Sequence, residues 1–249
     1  MSGHSKWATT KHRKAAVDKV RAKVFAKLIR QLEVAAREGG GDVNTNATLR
    51  TMFEKARAAS VPMDTIERAI KRGTGELEGV HYEEVSYEGY APGGVAIIVE
   101  CLTDNRNRTG AEVRNVFTRN GGSMAEPGAV GWQFARKGVI VLPRSLDEDT
   151  IMEVAVDAGA EDLSDEGDRW VLTCAPTDLH GVQSALENAG LQPESAELSL
   201  EPTTTVPVTE EAEARRILRL LEAIDDHDDV QAVHANYDID DKVLASFEG

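Results

Sequence analysis

Nine cations crowd into one short stretch near the start of the chain: Lys6, Lys11, Arg13, Lys14, Lys19, Arg21, Lys23, Lys27 and Arg30, with Asp18 the only acid up to residue 30. Trp7 and His12 are interleaved with them. Cations in a row neutralise successive phosphates, and an indole adds a face on which a base or ribose can stack. An ordinary solvated helix face alternates sign to gain i,i+4 pairs. A nearly one-signed run repels itself and is relieved by a polyanion. The types and spacing therefore predict a nucleic-acid grip on these eleven residues, against the alternative of a merely solvated face. Arg50, Lys55, Arg57, Arg68, Lys71 and Arg72 would widen it.

A second constellation is Thr103-Asp104-Asn105-Arg106-Asn107-Arg108-Thr109, placed after a strand-like run and at the opening of a helical one. Backbone N–H groups at a helix start, with two arginines beside them, make a phosphate pocket. The anion patch expected here comprises Asn105, Arg106, Arg108, Thr109, Arg114 and Arg119. The structural alternative, left open, has Thr109 as a helix cap and Asp104 pairing with an arginine to hold the loop.

Other chemistry is not encoded. Gly93-Gly94 and Gly121-Gly122 fit neither the dinucleotide nor the P-loop pattern. The six histidines have no zinc spacing with the two cysteines, and no nucleophile elbow occurs. The chain is thus expected to be non-enzymatic, with no catalytic residue, no metal and no cofactor. Asp225-Asp226-His227-Asp228-Asp229 is expected to be a solvated acidic turn between helix and strand rather than a metal site. If Met1 is removed, Ser2-Gly3-His4 offers a square-planar Cu(II) or Ni(II) chelate, which is read as accidental.

Net charge is −15 at a pI of about 4.9, which taken alone argues against a polyanion partner. Its distribution reverses that argument. Up to Arg72 there are 16 Lys/Arg against 7 Asp/Glu, and beyond it 12 against 36. Screening acts over roughly 8 Å in physiological salt, so an acidic body a domain-width away leaves a basic face its sign. No apolar run approaches a membrane span. Cys101 and Cys174 sit in apolar runs and are expected to be buried, reduced thiols. The expected location is the cytoplasm.

The elements that must position these groups fall into three blocks. Helical periodicity over Lys14–Glu38, Asn46–Ala59 and a short third helix, with an Asp64/Glu67 capping box and a stop at Gly73, predicts an N-terminal three-helix domain over 1–80. Strands Val85–Tyr90 and Gly94–Leu102, a helix Thr109–Arg119 and a strand Ala129–Phe134 follow. From Gly138 the predicted order is βαββαβ, which is ferredoxin-like. After it stand strand Thr204–Val208, helix Glu210–Asp225 and strand Val230–Tyr237. A lone strand–helix–strand unit cannot bury its apolar face. It is therefore expected to complete the earlier sheet. The predicted fold is multi-domain, α followed by two α/β sandwiches: a discontinuous α/β domain over 81–136 and 202–249, with the ferredoxin-like domain 137–201 inserted into it.

The opening Gly3-His4-Ser5-Lys6-Trp7-Ala8 with Lys11-His12-Arg13-Lys14 resembles the YebC/PmpR family. So do Tyr87-Glu88-Gly89-Tyr90-Ala91-Pro92-Gly93-Gly94, the run Thr103–Thr109, and Gly131-Trp132-Gln133-Phe134. The resemblance spans the chain and implies the same three-domain layout. It implies a DNA-binding transcriptional regulator, as bacterial members are described. The alternative is a ribosome-associated translation factor that relieves stalling, as for the related mitochondrial translational activator of cytochrome c oxidase. Either role makes nucleic acid the partner (DNA, or rRNA and tRNA on the ribosome), with protein partners for the acidic domains and no membrane.

Overall fold

The computed structural model describes residues 17–240 and 243, with side chains from residue 22 onward. Three helices open it: α1 (Val17–Gly39), α2 (Ala47–Ala58) and α3 (Met63–Gly73). Leu28, Leu32, Ala35 and Ala36 recur every three or four residues on α1, so they share a face. That face packs on Leu49 and Ala56 of α2 and on Ile66 and Ala69 of α3. Buried Asn46 joins two helix ends at once. Its Oδ1 accepts from the Leu49 N–H at 3.0 Å, while its Nδ2 donates to the Ala35 and Gly40 carbonyls, each at 2.8 Å. The capping box expected at Asp64 and Glu67 does not form. Pro62 occupies the cap with ψ 139, so the helix starts at Met63 and Asp64 already lies in its first turn.

Helix α3 closes tightly on α1. A Cβ added at Gly73 would stand 2.4 Å from the Glu33 carbonyl oxygen and 2.7 Å from the Ala36 Cβ. Both obstacles belong to a helix that cannot yield locally. Gly73→Ala is expected to cost about 1–3 kcal/mol by overpacking, read as a lower midpoint in urea with an unchanged slope.

The second block carries β1 (Glu83–Tyr90), β2 (Ala96–Thr103), α4 (Arg106–Arg119) and the two-residue β3 (Ser123–Met124). The chain leaves it through β4 (Phe134–Pro143), α5 (Glu148–Asp157), β5 (Ala160–Asp165), β6 (Arg169–Cys174), α6 (Leu179–Asn188) and β7 (Ser195–Pro202). It returns with β8 (Val206–Val208), α7 (Glu211–Asp225), β9 (Val230–Ala235) and β10 (Tyr237–Ile239). The excursion forms an antiparallel sheet in the order β5-β6-β4-β7, the ferredoxin-like arrangement. Its own core contains Ile140, Leu142, Ile151, Leu172, Val182 and Leu186. The returning segment pairs β9 with β2, for example Ile97 opposite Ala235 and Val99 opposite Val233. That completes the sheet β3-β1-β2-β9, with α4 and α7 contributing Val113, Phe117, Ile217, Leu220 and Ile224 to one core. The fold is thus a helical N-terminal domain followed by two α/β sandwiches, one inserted in the other.

Local departures from the sequence expectations have identifiable causes. Ala129–Phe134 is not a strand. Gly131–Gln133 is a 3₁₀ turn, and β4 begins only at Phe134. The backbone donors that a ladder would need are taken by the Glu88 carboxylate, which accepts from the N–H of Gly128, Val130 and Gly131. The strand expected over 230–237 breaks at Asn236. There the side-chain Oδ1 accepts the Ala96 N–H at 2.7 Å and the backbone N–H donates to the Ala96 carbonyl at 3.1 Å. Helix α4 begins at Arg106 instead of Thr109, capped by Asn105, whose side chain accepts the Arg108 N–H. Both cysteines are buried and free, and burial pushes the Cys101 thiol up to about 12. No helix among the described residues is long and apolar enough to cross a membrane.

Candidate nucleic-acid interface

Lys6, Trp7, Lys11, His12, Arg13 and Lys14 lie outside the described residues. Lys19 and Arg21 fall on α1, with their side chains outside the described set. Lys23, Lys27 and Arg30 are described, and they share a stripe at i, i+4 and i+7. That stripe meets the acidic turn between α7 and β9. Lys23 pairs with Asp226. Lys27 pairs with Asp225 at 3.1 Å. Arg30 reaches the Asp229 carboxylate at 2.9 Å and the Asp228 carbonyl at 2.7 Å. Arg30 also lies over the Tyr82 ring, 5.5 Å from its centroid.

The turn is therefore not simply solvated, and Asp229 is its least accessible member, with a side chain 5 % exposed. Its Oδ2 accepts from the Thr109 hydroxyl at 2.7 Å and from Arg108 at 2.9 Å. With Thr109 donating there, the Thr103 hydroxyl donates to Thr109 across 2.7 Å and accepts the Asn105 N–H at 2.9 Å. Burial alone would raise the Asp229 carboxyl. The hydrogen bonds from Thr109 and Arg108 and the charge of Arg30 outweigh it and hold the value below the ordinary range. One carboxylate thus ties α1 to the run Thr103–Thr109.

This changes the reading of the second constellation. Asn105 caps α4. Arg108 is held by Asp104 at 2.8 Å and by Asp229, and Thr109 is fully buried. Arg106, Arg114 and Arg119 are exposed on α4. Of the wider set, Arg50 binds the Val43 and Asn44 carbonyls, Lys55 pairs with Glu197 at 2.6 Å, and Arg72 pairs with buried Glu33. Arg57 sits 3.8 Å from the Met63 sulfur, while Arg68 and Lys71 are exposed.

A cleft of about 670 Å³ opens where α1, α4 and the turn meet, lined among others by Arg30, Tyr82, Arg108, Glu112 and His227. Ligand atoms of Glu112, His227 and Asp229 lie within 4.8 Å of one another. They already satisfy each other. The Asp229 N–H donates to His227 Nδ1 at 3.2 Å, which leaves the neutral ring its proton on Nε2, 2.9 Å from Glu112. Both Asp229 oxygens are taken, so an ion would have to displace an arginine.

The motif residues beyond the grip are also tied together. The Tyr87 hydroxyl donates to the Arg106 carbonyl at 3.0 Å. Glu88 is lifted by partial burial, but its three backbone donors prevail and leave its carboxyl below the ordinary glutamate value. The turn that Glu88 holds presents Trp132, which is 72 % exposed and donates through Nε1 to the Ala129 carbonyl. A carboxyl lowered on folding stabilises fully above its unfolded value, and that contribution fades as pH falls through the lower folded value. In thermal unfolding against pH, Glu88→Gln should therefore trail wild type above about 4.5, the ordinary value, with the gap narrowing at lower pH.

Sequence reasoning missed the role of Asp229. The available signal was that acids concentrate in one short turn while the matching cations concentrate on one helical stripe.

The arrangement is that of a basic helical domain set against an acidic, doubly built α/β body. Residues 5–76 match the model described as TACO1/YebC protein N-terminal domain, and residues 82–237 match the TACO1/YebC second and third domain. The chain belongs to the TACO1/YebC family. It is 55 % identical over 248 residues to a protein of Acidithiobacillus ferrooxidans named "Probable transcriptional regulatory protein", covering 100 % of this chain and 99 % of the relative. A protein of the same name from Thermobifida fusca is 55 % identical over 247 residues, covering 98 % and 99 %. The crystal structure of a conserved hypothetical protein from Aquifex aeolicus matches with a TM-score of 0.87 at 45 % identity, covering 96 % of this chain and 99 % of that one.

Proposed function

We propose that this protein is a cytoplasmic, non-enzymatic, nucleic-acid-binding regulator of gene expression, a DNA-binding transcriptional regulator of the YebC/PmpR type. The observation that carries the reading is the nearly one-signed cationic stretch from Lys6 to Arg30, with Asp18 its one acid, at the head of an otherwise acidic chain. The relatives named as transcriptional regulatory proteins support it. In this reading the N-terminal domain, taken as 1–80, docks on phosphates, and Trp7 stacks on a base or ribose. Exposed Arg106, Arg114 and Arg119 extend the contact along α4. The body, taken as 81–136 with 202–249 and the insert 137–201, meets protein partners.

A second reading is contact with the ribosome. One observation favours it: the first helix carries mostly lysines and small apolar residues, suited to backbone phosphate, and is a poor source of the Asn, Gln or Arg side chains that read base edges in the major groove. Sedimentation of cell lysate on a sucrose gradient, combined with crosslink sequencing, tests both. Enrichment of promoter DNA supports the first reading. Co-migration with ribosomal subunits and rRNA crosslinks would replace it with the second.

A further inference from the structure

Three of the cations assigned to phosphate on α1, those whose side chains are described, already face anions. Lys23, Lys27 and Arg30 each meet a carboxylate of the turn between α7 and β9. We propose that Asp225–Asp229 acts as an internal stand-in for a phosphodiester backbone. In this closed arrangement it occupies the basic stripe, and nucleic acid binds there only by displacing it. The proposal rests on the nucleic-acid reading above and deepens it with a mechanism of restraint.

Three observations beyond the ion pairs point the same way. First, the helical and middle domains keep separate apolar clusters. The cluster of the helical domain runs from Phe25 to Ile70, the cluster of the middle domain from Val85 to Val243, and they share no residue. A further link from the helical domain to the body is again ionic, Lys55 to Glu197. Interfaces held by charge without a large apolar patch permit relative motion and weaken as salt or a competing polyanion rises. Second, the covalent tie between the two parts, residues 74–82, contains no helix or strand. Third, the carboxylates divide by role. Asp229 is buried and also holds Arg108 and Thr109, so it is part of the body's frame. Asp225, the last residue of α7, and the exposed Asp226 after it hold the lysines. Those two are the removable part of the clasp.

The linkage has a definite sign. A lysine paired with an aspartate must give up that ion pair to reach a phosphate, and salt weakens both contacts, so the two dependences partly cancel. A lysine freed of its aspartate contributes its full share. Each additional phosphate contact steepens the fall of log affinity with log salt by about 0.9 on duplex DNA. Neutralising Asp225 and Asp226 should therefore both tighten binding at low salt and steepen its salt dependence by about 2.

The test compares the full-length protein with Asp225→Asn/Asp226→Asn by fluorescence anisotropy on a short random-sequence DNA duplex across a salt series. A distance between spin labels on exposed Thr51→Cys of α2 and Thr118→Cys of α4 is measured in parallel. Cys101 and Cys174 are buried, so the introduced cysteines are the accessible ones among the described residues. The expected result is at least roughly tenfold tighter binding by the double variant at low salt and a steeper slope. A label separation that broadens without DNA in the variant, and on adding DNA in wild type, is expected with it. Equal affinity and slope, with an unchanged narrow distance in the bound wild type, would overturn the clasp while leaving the nucleic-acid reading intact. If neither form binds the duplex, the reading above fails and the clasp fails with it. The DNA-free distances still report whether the two aspartates hold the domains together.

Discussion

Full-length protein carrying Lys11→Glu, Arg13→Glu and Lys14→Glu should lose duplex binding almost completely while melting at the wild-type temperature. Each lost phosphate contact flattens the dependence of log affinity on log salt by about 0.9, so three remove about 2.7 from the slope. Reversal adds three repulsive charges to that loss. The combined effect at low salt is expected to exceed roughly a hundredfold, because opposed charges alter both the encounter rate and the bound state. Folding should be spared, since the three substitutions replace one charge by another and the three large apolar clusters are built, among the described residues, from residues between Phe25 and Val243. Anisotropy titration and thermal unfolding on the same preparation check both halves. Wild-type affinity in the triple variant would remove these residues from the interface.

The second large effect is expected at Asp229. Replacing it with alanine deprives Thr109, Arg108 and Arg30 of their shared acceptor and leaves the fully buried Thr109 hydroxyl only the longer bond to the Asn105 carbonyl at 3.2 Å. Hydrogen bonds to a charged group are each worth about 1.5–3 kcal/mol, and a buried group left unpaired costs about 1–3 kcal/mol. Partial solvation of the two arginines tempers the sum, so the expected loss is about 2–4 kcal/mol. Chemical denaturation should show it in the transition of the domain that contains α4 and β9. Asp229→Ala should cost less in a Thr109→Val background than in wild type, because the two groups share one bond. Equal costs in both backgrounds would mean that Thr109 does not depend on Asp229.

The same carboxylate shows where the sequence could be read and where it could not. The three helices, the βαββαβ order and the return of the C-terminal unit to an earlier sheet follow from periodicity and from the requirement to bury apolar faces, although only β9 joins that sheet while β8 pairs in parallel with β10. Such patterns are written along the chain. What escaped is the tertiary use of polar groups. Glu88 takes three backbone donors about forty residues away and turns an expected strand at Ala129–Phe134 into a 3₁₀ turn. Asn236 splits β9 from β10 by bonding Ala96 across the sheet. Asp64 and Glu67 have capping-box spacing, but Pro62 sets the helix start before them. The basic stripe was legible as a stripe. Its docking on Asp225–Asp229, separated from it by about two hundred residues, was not, because opposite charges attract without any periodic signature.

Anisotropy of a labelled duplex with the full-length protein, between roughly 50 and 200 mM salt, tests the account most directly. With about six cations engaged, log affinity should fall linearly with log salt at a slope near −5. Binding that is absent at the lowest salt, or that does not change across the series, would contradict a cationic grip on phosphate.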